Sequence, residues 1–273
     1  MIDAIKYFLL GLIQGFTEPL PISSSGHVTI FREIFNITFE ENFLIIVNFG
    51  SLLAIIFYFR KMIKDLIVGS FNYIFKKNSE KQVENKANFI YVLLVALATI
   101  PAGIAGLLLE DFINANFNTL LSVGICLFIT GTLVLFISYY SKNALRTTVT
   151  WSDALLMGIG QVGGLLPGIS RSGSTTSVGV IKKLELTTAL RFSFMMYIPI
   201  SIASFLLGIY NIYKNGLESI NVLGYILAFL ASIIATFFSL KWFFRLVKKD
   251  NLKYFGFYCL VVSVLVLLYV VIV

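Results

Sequence analysis

Apolar residues along this chain do not alternate and do not recur every third or fourth position. They run in long uncharged stretches. Five of these, 89–109, 119–141, 192–213, 219–240 and 254–273, reach the roughly 20 residues that a helix needs to cross about 30 Å of hydrocarbon. A sixth, 43–59, is shorter and stops at Arg60-Lys61. The pattern predicts six membrane-spanning helices. Pro101 and Pro199 fall inside two of them, which is tolerable where neighbouring helices satisfy the freed carbonyls.

Two further apolar segments do not fit. Residues 7–17 are uncharged for only 11 positions and then meet Glu18, Pro19 and Pro21. Residues 154–170 are uncharged for 17 positions but carry Gly158, Gly160, Gly163, Gly164, Pro167 and Gly168. Each reads as a short helix, a break and a second short helix, which is a re-entrant hairpin. The plainer alternative is a helix lying flat at the interface. Irregular backbone at membrane depth needs protein or a wet cavity around it.

The two odd segments resemble each other. An offset of 147 residues aligns 11–29 with 158–176. It matches Gly11/Gly158, Gln14/Gln161, Ile22/Ile169, Ser23/Ser170, Ser25/Ser172, Gly26/Gly173 and Thr29/Thr176. Each half then holds one hairpin followed by three spans. Three is odd, so the second half starts on the opposite side of the membrane. The expected fold is an all-α polytopic membrane protein of six transmembrane helices and two re-entrant hairpins. It forms one membrane domain, with 1–146 and 147–273 as inverted repeats. Broken helices of such halves meet near the midplane and form the site.

Composition agrees. Hydrophobic residues make up 58% and charged residues 13%, with a mean hydropathy of +0.90. A soluble core cannot hide that much apolar side chain. A soluble domain, a disordered chain and a disulfide scaffold are all excluded. Cys126 and Cys259 both fall in spans and read as inert apolar residues. No secretory signal is apparent, because Asp3 precedes Lys6 and no small-residue cleavage site follows. The net charge of +7 raises the question of nucleic acid, but its placement answers it. With the N-terminus outside, 17 Lys and Arg fall on inside segments, 3 fall outside, and Arg171 lies in a hairpin. The positive charge is that of cytoplasmic anchors beside anionic lipid, with both termini outside. No nucleic-acid module is present.

Charge inside a membrane segment is costly and marks candidate chemistry. Two such charges stand out, Glu18 and Arg171. A structural ion pair between the hairpins would explain both, but their neighbours offer more. Pro21-Ile22-Ser23-Ser24-Ser25-Gly26-His27 follows Glu18, and His27 is the single histidine. Pro167-Gly168-Ile169-Ser170-Arg171-Ser172-Gly173-Ser174-Thr175-Thr176 surrounds Arg171. Ser/Gly turns that open a helix present free N–H groups and the positive end of the dipole to an anion. Arginine matches phosphate with a planar fork. The hydroxyls of Ser170, Ser172, Thr175 and Thr176 add donors. His27 can act as base or nucleophile, and a serine beside it, such as Ser24, can be the nucleophile. Gln14 and Glu18 share one helix face. Glu18 among phosphate donors suggests a proton acceptor or a ligand for a divalent cation, Mg or Ca.

The stretch Gly11 to His27, with Gln-x-x-x-Glu and then Ser-Ser-Ser-Gly-His, resembles the first motif of the undecaprenyl-diphosphate phosphatase family, the bacitracin-resistance membrane enzymes of bacteria. Pro167 to Thr175 resembles its second motif, and Phe192-Ser193-Phe194 with Pro199 a later one. The resemblance runs over essentially the whole chain. It implies hydrolysis of the C55 isoprenyl diphosphate to its monophosphate at the outer face of the bacterial cytoplasmic membrane, which recycles the carrier for cell-wall synthesis. Carried over by position, Glu18, Ser24, His27 and Arg171 would be catalytic. Gln14, Ser23, Ser25, Ser170, Ser172 and Thr175 would bind substrate, and Glu18 would hold the cation. Two positions depart from the commonest pattern. Gln14 replaces an acid, which weakens a two-carboxylate metal site, and Ser25 stands where threonine is common. Ser24 assisted by His27 and Glu18 is the favoured nucleophile, with His27 itself as the alternative.

A lipid-phosphate transporter or flippase on the same inverted repeat would also want Arg171 and Ser/Gly donors, but it would not need Ser24, His27 and Glu18 clustered. The general lipid-phosphatase superfamily would require a second histidine. Gly103, Gly106 and Gly208 offer close helix packing within a protomer or across a homodimer.

Overall fold

The computed structural model describes residues 2–35, 41–76, 81–215 and 221–272. Those residues are all-helical, with no strand among them. The helices are α1 (Ile2–Thr17), α2 (Ser24–Ile34), α3 (Glu41–Tyr58), α4 (Arg60–Phe75), α5 (Gln82–Phe117), α6 (Leu120–Tyr140), α7 (Trp151–Gly163), α8 (Arg171–Ile181), α9 (Leu186–Asn215), α10 (Val222–Val247) and α11 (Lys253–Ile272). Helices α5, α6, α9, α10 and α11 each contain a stretch long and apolar enough to cross a membrane. They correspond to the five full stretches of the sequence, although 219–220 and 273 lie outside the described residues. Large apolar side chains are exposed along them, including Leu107, Phe128, Leu206, Phe238 and Leu265, as a lipid-facing surface requires. The chain is a multi-pass membrane protein.

The sixth stretch differs from expectation. Span 43–59 is α3, but the chain does not then enter a loop. Helix α4 follows after one residue at a bend of 72°. Its first five residues include Arg60, Lys61 and Lys64, so it cannot simply prolong an apolar span. The described part of segment 60–88 is thus largely helix. Likewise α10 runs on through Lys241 and Arg245 to Val247, beyond the apolar limit at 240.

The two Gly/Pro-broken segments are helix pairs. Helix α1 ends at Thr17, and turns containing Pro19 and Pro21 lead to α2. Helix α7 ends at Gly163, and the break containing Pro167 and Gly168 leads to α8. Gly168 sits at φ +97°, and a Cβ there would come within 2.6 Å of Cys126 Cβ. Only glycine meets both demands without strain. Thr130 of α6 fixes this break. Its hydroxyl donates to the Gly168 carbonyl at 2.8 Å and accepts from the Ser170 N–H at 3.0 Å.

Close helix contacts seat the first helix of each pair. Gly11 of α1 lies on the Ala228 backbone of α10, and Gly158 of α7 lies on the Ala98 backbone of α5, so that a Cβ at either would collide with backbone. Hydroxyls across the α1–α3–α10 contact complete it. Thr236 donates to the Gly15 carbonyl at 2.9 Å, Ser239 to Phe16 at 2.6 Å, and Ser232 to Val47 at 2.7 Å. These bonds satisfy polar groups in an apolar interior and hold the end of α1, with Gln14, in place. The main core lies around Leu52, Ile55, Phe59, Phe194, Leu240, Phe243 and Phe255, beneath the break after α1.

Candidate active site

The ends of the two broken pairs meet. Gln14, Glu18, Ser23, Ser24, Ser25, Ser170, Arg171 and Ser172 all line one cavity of about 340 Å³, together with Asn48, Gln161, Tyr197, Ser201 and Ser204. Glu18 and Arg171 form an ion pair, with side chains 5% and 25% exposed. Glu18 Oε1 accepts from the guanidinium. Oε2 accepts from Ser24 Oγ at 2.5 Å and from Gln14 Nε2 at 2.8 Å. The same Gln14 amide donates to Asn48 Oδ1 at 2.6 Å. The guanidinium also lies over the Tyr197 ring, 3.8 Å from its centroid, as a cation on a π system.

The helix starts are built alike. Ser23 caps α2 by accepting from the Gly26 N–H at 3.3 Å, and Ser170 caps α8 by accepting from the Gly173 N–H at 3.1 Å. Ser23 Oγ also pairs with Ser25 Oγ at 3.3 Å, and Ser170 Oγ with Ser172 Oγ at 3.2 Å. In both helices the first-turn N–H groups before the capped one have no intrahelical acceptor, as in any α-helix. Two positive dipole ends thus open on one cavity, where an anion is favoured. Ser23 holds φ 67°, a left-handed conformation that costs a serine on the order of 1 kcal/mol. The sharp turn it makes starts α2 immediately and puts Ser24 beside Glu18.

His27 and Thr175 stand apart from the cavity wall. Against the expectation of a ring facing phosphate, His27 is buried with both nitrogens engaged. Nδ1 lies 2.8 Å from the Ser23 carbonyl and Nε2 lies 2.8 Å from the Tyr258 hydroxyl, and the two rings are stacked. A carbonyl only accepts, so Nδ1 carries the proton and the tyrosine donates to Nε2. The imidazole braces the left-handed Ser23 from behind. Thr175 is fully buried. Its hydroxyl donates to the Arg171 carbonyl at 2.8 Å and pairs with Ser193 Oγ at 2.6 Å, which ties α8 to α9 through the serine of the Phe-Ser-Phe motif.

Asn48 and Tyr197 escaped the motif reading, and Gln161 entered it only as the repeat partner of Gln14. An asparagine within the apolar stretch 43–59 is the signal that marks Asn48. Tyr197 sits among aromatic residues of a span, and nothing local separates it from core.

Glu18 is the single carboxylate and Arg171 the single cation among the described residues lining the cavity. No group of three or more His, Cys, Asp or Glu that could hold a metal occurs among the described residues. The arrangement offers a serine hydroxyl against a carboxylate, an arginine fork and two helix starts. That combination suits phosphoryl chemistry.

Comparison with known proteins agrees. The family described as "Bacitracin resistance protein BacA" matches residues 7–265. A protein of Oceanobacillus iheyensis named undecaprenyl-diphosphatase is 43% identical over 97% of this chain and 96% of its own. Undecaprenyl-diphosphatase 2 of Bacillus thuringiensis is 39% identical over 97% of both chains. An undecaprenyl-diphosphatase of Acholeplasma laidlawii is 38% identical over 99% of both. On the site geometry and on similarity spanning nearly its full length, this chain belongs to the bacitracin resistance protein BacA family.

Proposed function

We propose that this protein is an undecaprenyl-diphosphatase. It hydrolyses undecaprenyl diphosphate in the membrane to undecaprenyl phosphate and inorganic phosphate, which recycles the lipid carrier for peptidoglycan synthesis and supports bacitracin resistance. The observation that carries the mechanism is the hydrogen bond from Ser24 Oγ to Glu18 Oε2, on the wall that also bears Arg171. Glu18 accepts the Ser24 proton as Oγ attacks the terminal phosphorus. The bond from phosphorus to the bridging oxygen breaks, and the lipid monophosphate leaves. Water then attacks the phosphoserine, phosphate departs, and Glu18 returns the proton to Ser24. Arg171 and the starts of α2 and α8 stabilise the charge on the phosphoryl oxygens. His27 acts through Ser23, as a positioning residue. A transporter would not require the Ser24–Glu18 contact.

A hard divalent cation, Mg²⁺ or Ca²⁺, would share Glu18 with the Arg171, Ser24 and Gln14 donors that meet its two oxygens, and would take its other ligands mainly from the substrate phosphates. Glu18 would supply a carboxylate, beside the amide oxygens of Gln14 and Asn48. When bound, the ion would neutralise charge on the diphosphate.

The architecture we infer is an inverted repeat of 1–146 and 147–273, each a re-entrant helix pair followed by three spans. Four likenesses support it: α1 on α10 against α7 on α5, Gly11 on Ala228 against Gly158 on Ala98, and the matching caps and serine pairs of α2 and α8. The 17-to-3 distribution of Lys and Arg supports termini and cavity mouth on the outer side of the bacterial cytoplasmic membrane.

The test is phosphate release from undecaprenyl diphosphate by the purified protein in detergent. Wild type is expected to release it. Ser24→Ala is expected to abolish release while leaving the thermal midpoint in place. No release by folded wild-type protein would overturn the reading.

A further inference from the structure

Gln161 of α7 is 2% exposed and lines the cavity, yet neither its Nε2 nor its Oε1 has a hydrogen-bond partner among the described residues. A buried carboxamide with both ends unmet is expensive to keep, and such a group calls for an explanation. Gln14, 147 residues earlier, makes the comparison sharp. It too is a buried cavity residue, but its amide is held by Glu18 four residues on and by Asn48. Four residues beyond Gln161 stands Leu165, which has no polar side-chain atom. The same residue type lies in the same place of each helix pair, bound in one and free in the other.

We propose that Gln161 binds the diphosphate group of the lipid substrate. Nε2 donates to a phosphate oxygen, and Oε1 accepts from a water that solvates the phosphate. The inference rests on the phosphatase reading given above and adds a substrate contact from the second helix pair. An amide suits this wall. Glu18 and Arg171 already balance each other, so a second cationic side chain would compete with Arg171 for Glu18 and a second carboxylate would repel the substrate. A neutral donor adds recognition without altering that balance. A site whose buried polar groups are completed only by the substrate also discriminates against ligands that leave them unmet.

The test uses Gln161→Met, which keeps side-chain volume, and Gln161→Leu as a second variant. Three readouts are taken on the full-length protein in detergent: phosphate release kinetics, the thermal midpoint, and the rise in that midpoint caused by a C15 isoprenyl diphosphate in a Ser24→Ala background. The expected result is a KM raised about 10- to 100-fold with kcat changed far less, as for a lost hydrogen bond to a charged group. The midpoint without ligand should hold or rise, because an apolar side chain replaces an unpaired amide. The ligand-induced rise should shrink. Unchanged kinetics in a folded variant, or a lower midpoint with an unchanged ligand-induced rise, would overturn the proposal in favour of a structural role. Absence of release by wild type would instead sink the phosphatase reading. The ligand-induced rise would then still decide whether Gln161 binds the diphosphate.

Discussion

The carboxylate of Glu18 and the guanidinium of Arg171, 153 residues apart in the chain, are paired on the wall of one cavity inside the helix bundle. The pair joins the break after α1 to the start of α8. It also keeps the acceptor for Ser24 and the fork for phosphate within one cavity wall. In the proposed reaction, a substrate anion that draws Arg171 toward itself would free Glu18 to take the Ser24 proton.

Arg171→Ala is therefore expected to act twice. It removes charge stabilisation, worth about 100- to 1,000-fold in kcat. It also strands a buried carboxylate at about 3–5 kcal/mol of stability. The double variant Glu18→Gln/Arg171→Met should regain most of the thermal midpoint and none of the phosphate release. If the double variant is as unstable as the single, the pair is not the source of the loss.

His27 and Ser24 should separate by readout. Ser24→Ala should lose turnover at an unchanged midpoint. His27→Phe removes the imidazole's bond to the Ser23 carbonyl, which keeps the His27 backbone N–H at 3.2 Å, and should lower the midpoint by about 0.5–1.5 kcal/mol with only a partial loss of kcat. Tyr258→Phe should move in the same direction but less. Complete loss of kcat in a stable His27→Phe protein would instead place the imidazole in the reaction.

The break before α8 should be intolerant. Gly168→Ala forces a Cβ onto Cys126 at a positive φ and should cost more than about 1 kcal/mol, seen in thermal unfolding. Thr130→Val leaves both the Gly168 carbonyl and the Ser170 N–H unmet and should cost about 1–3 kcal/mol.

A second ion pair, outside the spans, predicts a pH dependence. Arg146 forks onto Asp153 at the start of α7 and also donates to the Lys182 carbonyl at 2.7 Å. Burial alone would raise the Asp153 pKa. Hydrogen bonds from Arg146 and Thr150, with the arginine charge, outweigh burial and hold it below the ordinary 3.8. A depressed carboxyl contributes stability above its unfolded value and loses it as pH falls through the folded one. The stabilising difference between wild type and Asp153→Asn should be constant above about pH 5 and shrink below pH 3.8. A difference that grows on acidification would contradict this sign.

Much of the molecule was legible in residue order. The long apolar stretches specify helices without any partner, because hydrocarbon offers the backbone no other donor or acceptor. Five of the six emerged as helices able to span. The breaks at Pro19, Pro21, Pro167 and Gly168 were equally plain, since proline removes an N–H donor and glycine weakens a helix. The charges of Glu18 and Arg171 stood out against their surroundings. The α4 bend was not legible, because Arg60 and Lys61 end an apolar stretch whether a loop or a turned helix follows.

What residue order cannot carry is which side of a short helix faces the cavity. His27 has the residue type and the neighbours of a catalytic base, yet the left-handed Ser23 and the stacked Tyr258 of α11 turn it away from the cavity. Asn48 and Tyr197 look like isolated polar or aromatic residues in spans, and Gln161 like no more than the repeat partner of Gln14, until packing brings three distant segments around Arg171 and Glu18. Covalent order and solvent determined the helices and their breaks by themselves. Only the packing of helices distant in sequence decided which polar atoms meet, because hydrogen bonds act over about 3 Å while the residues that make them lie up to 231 positions apart.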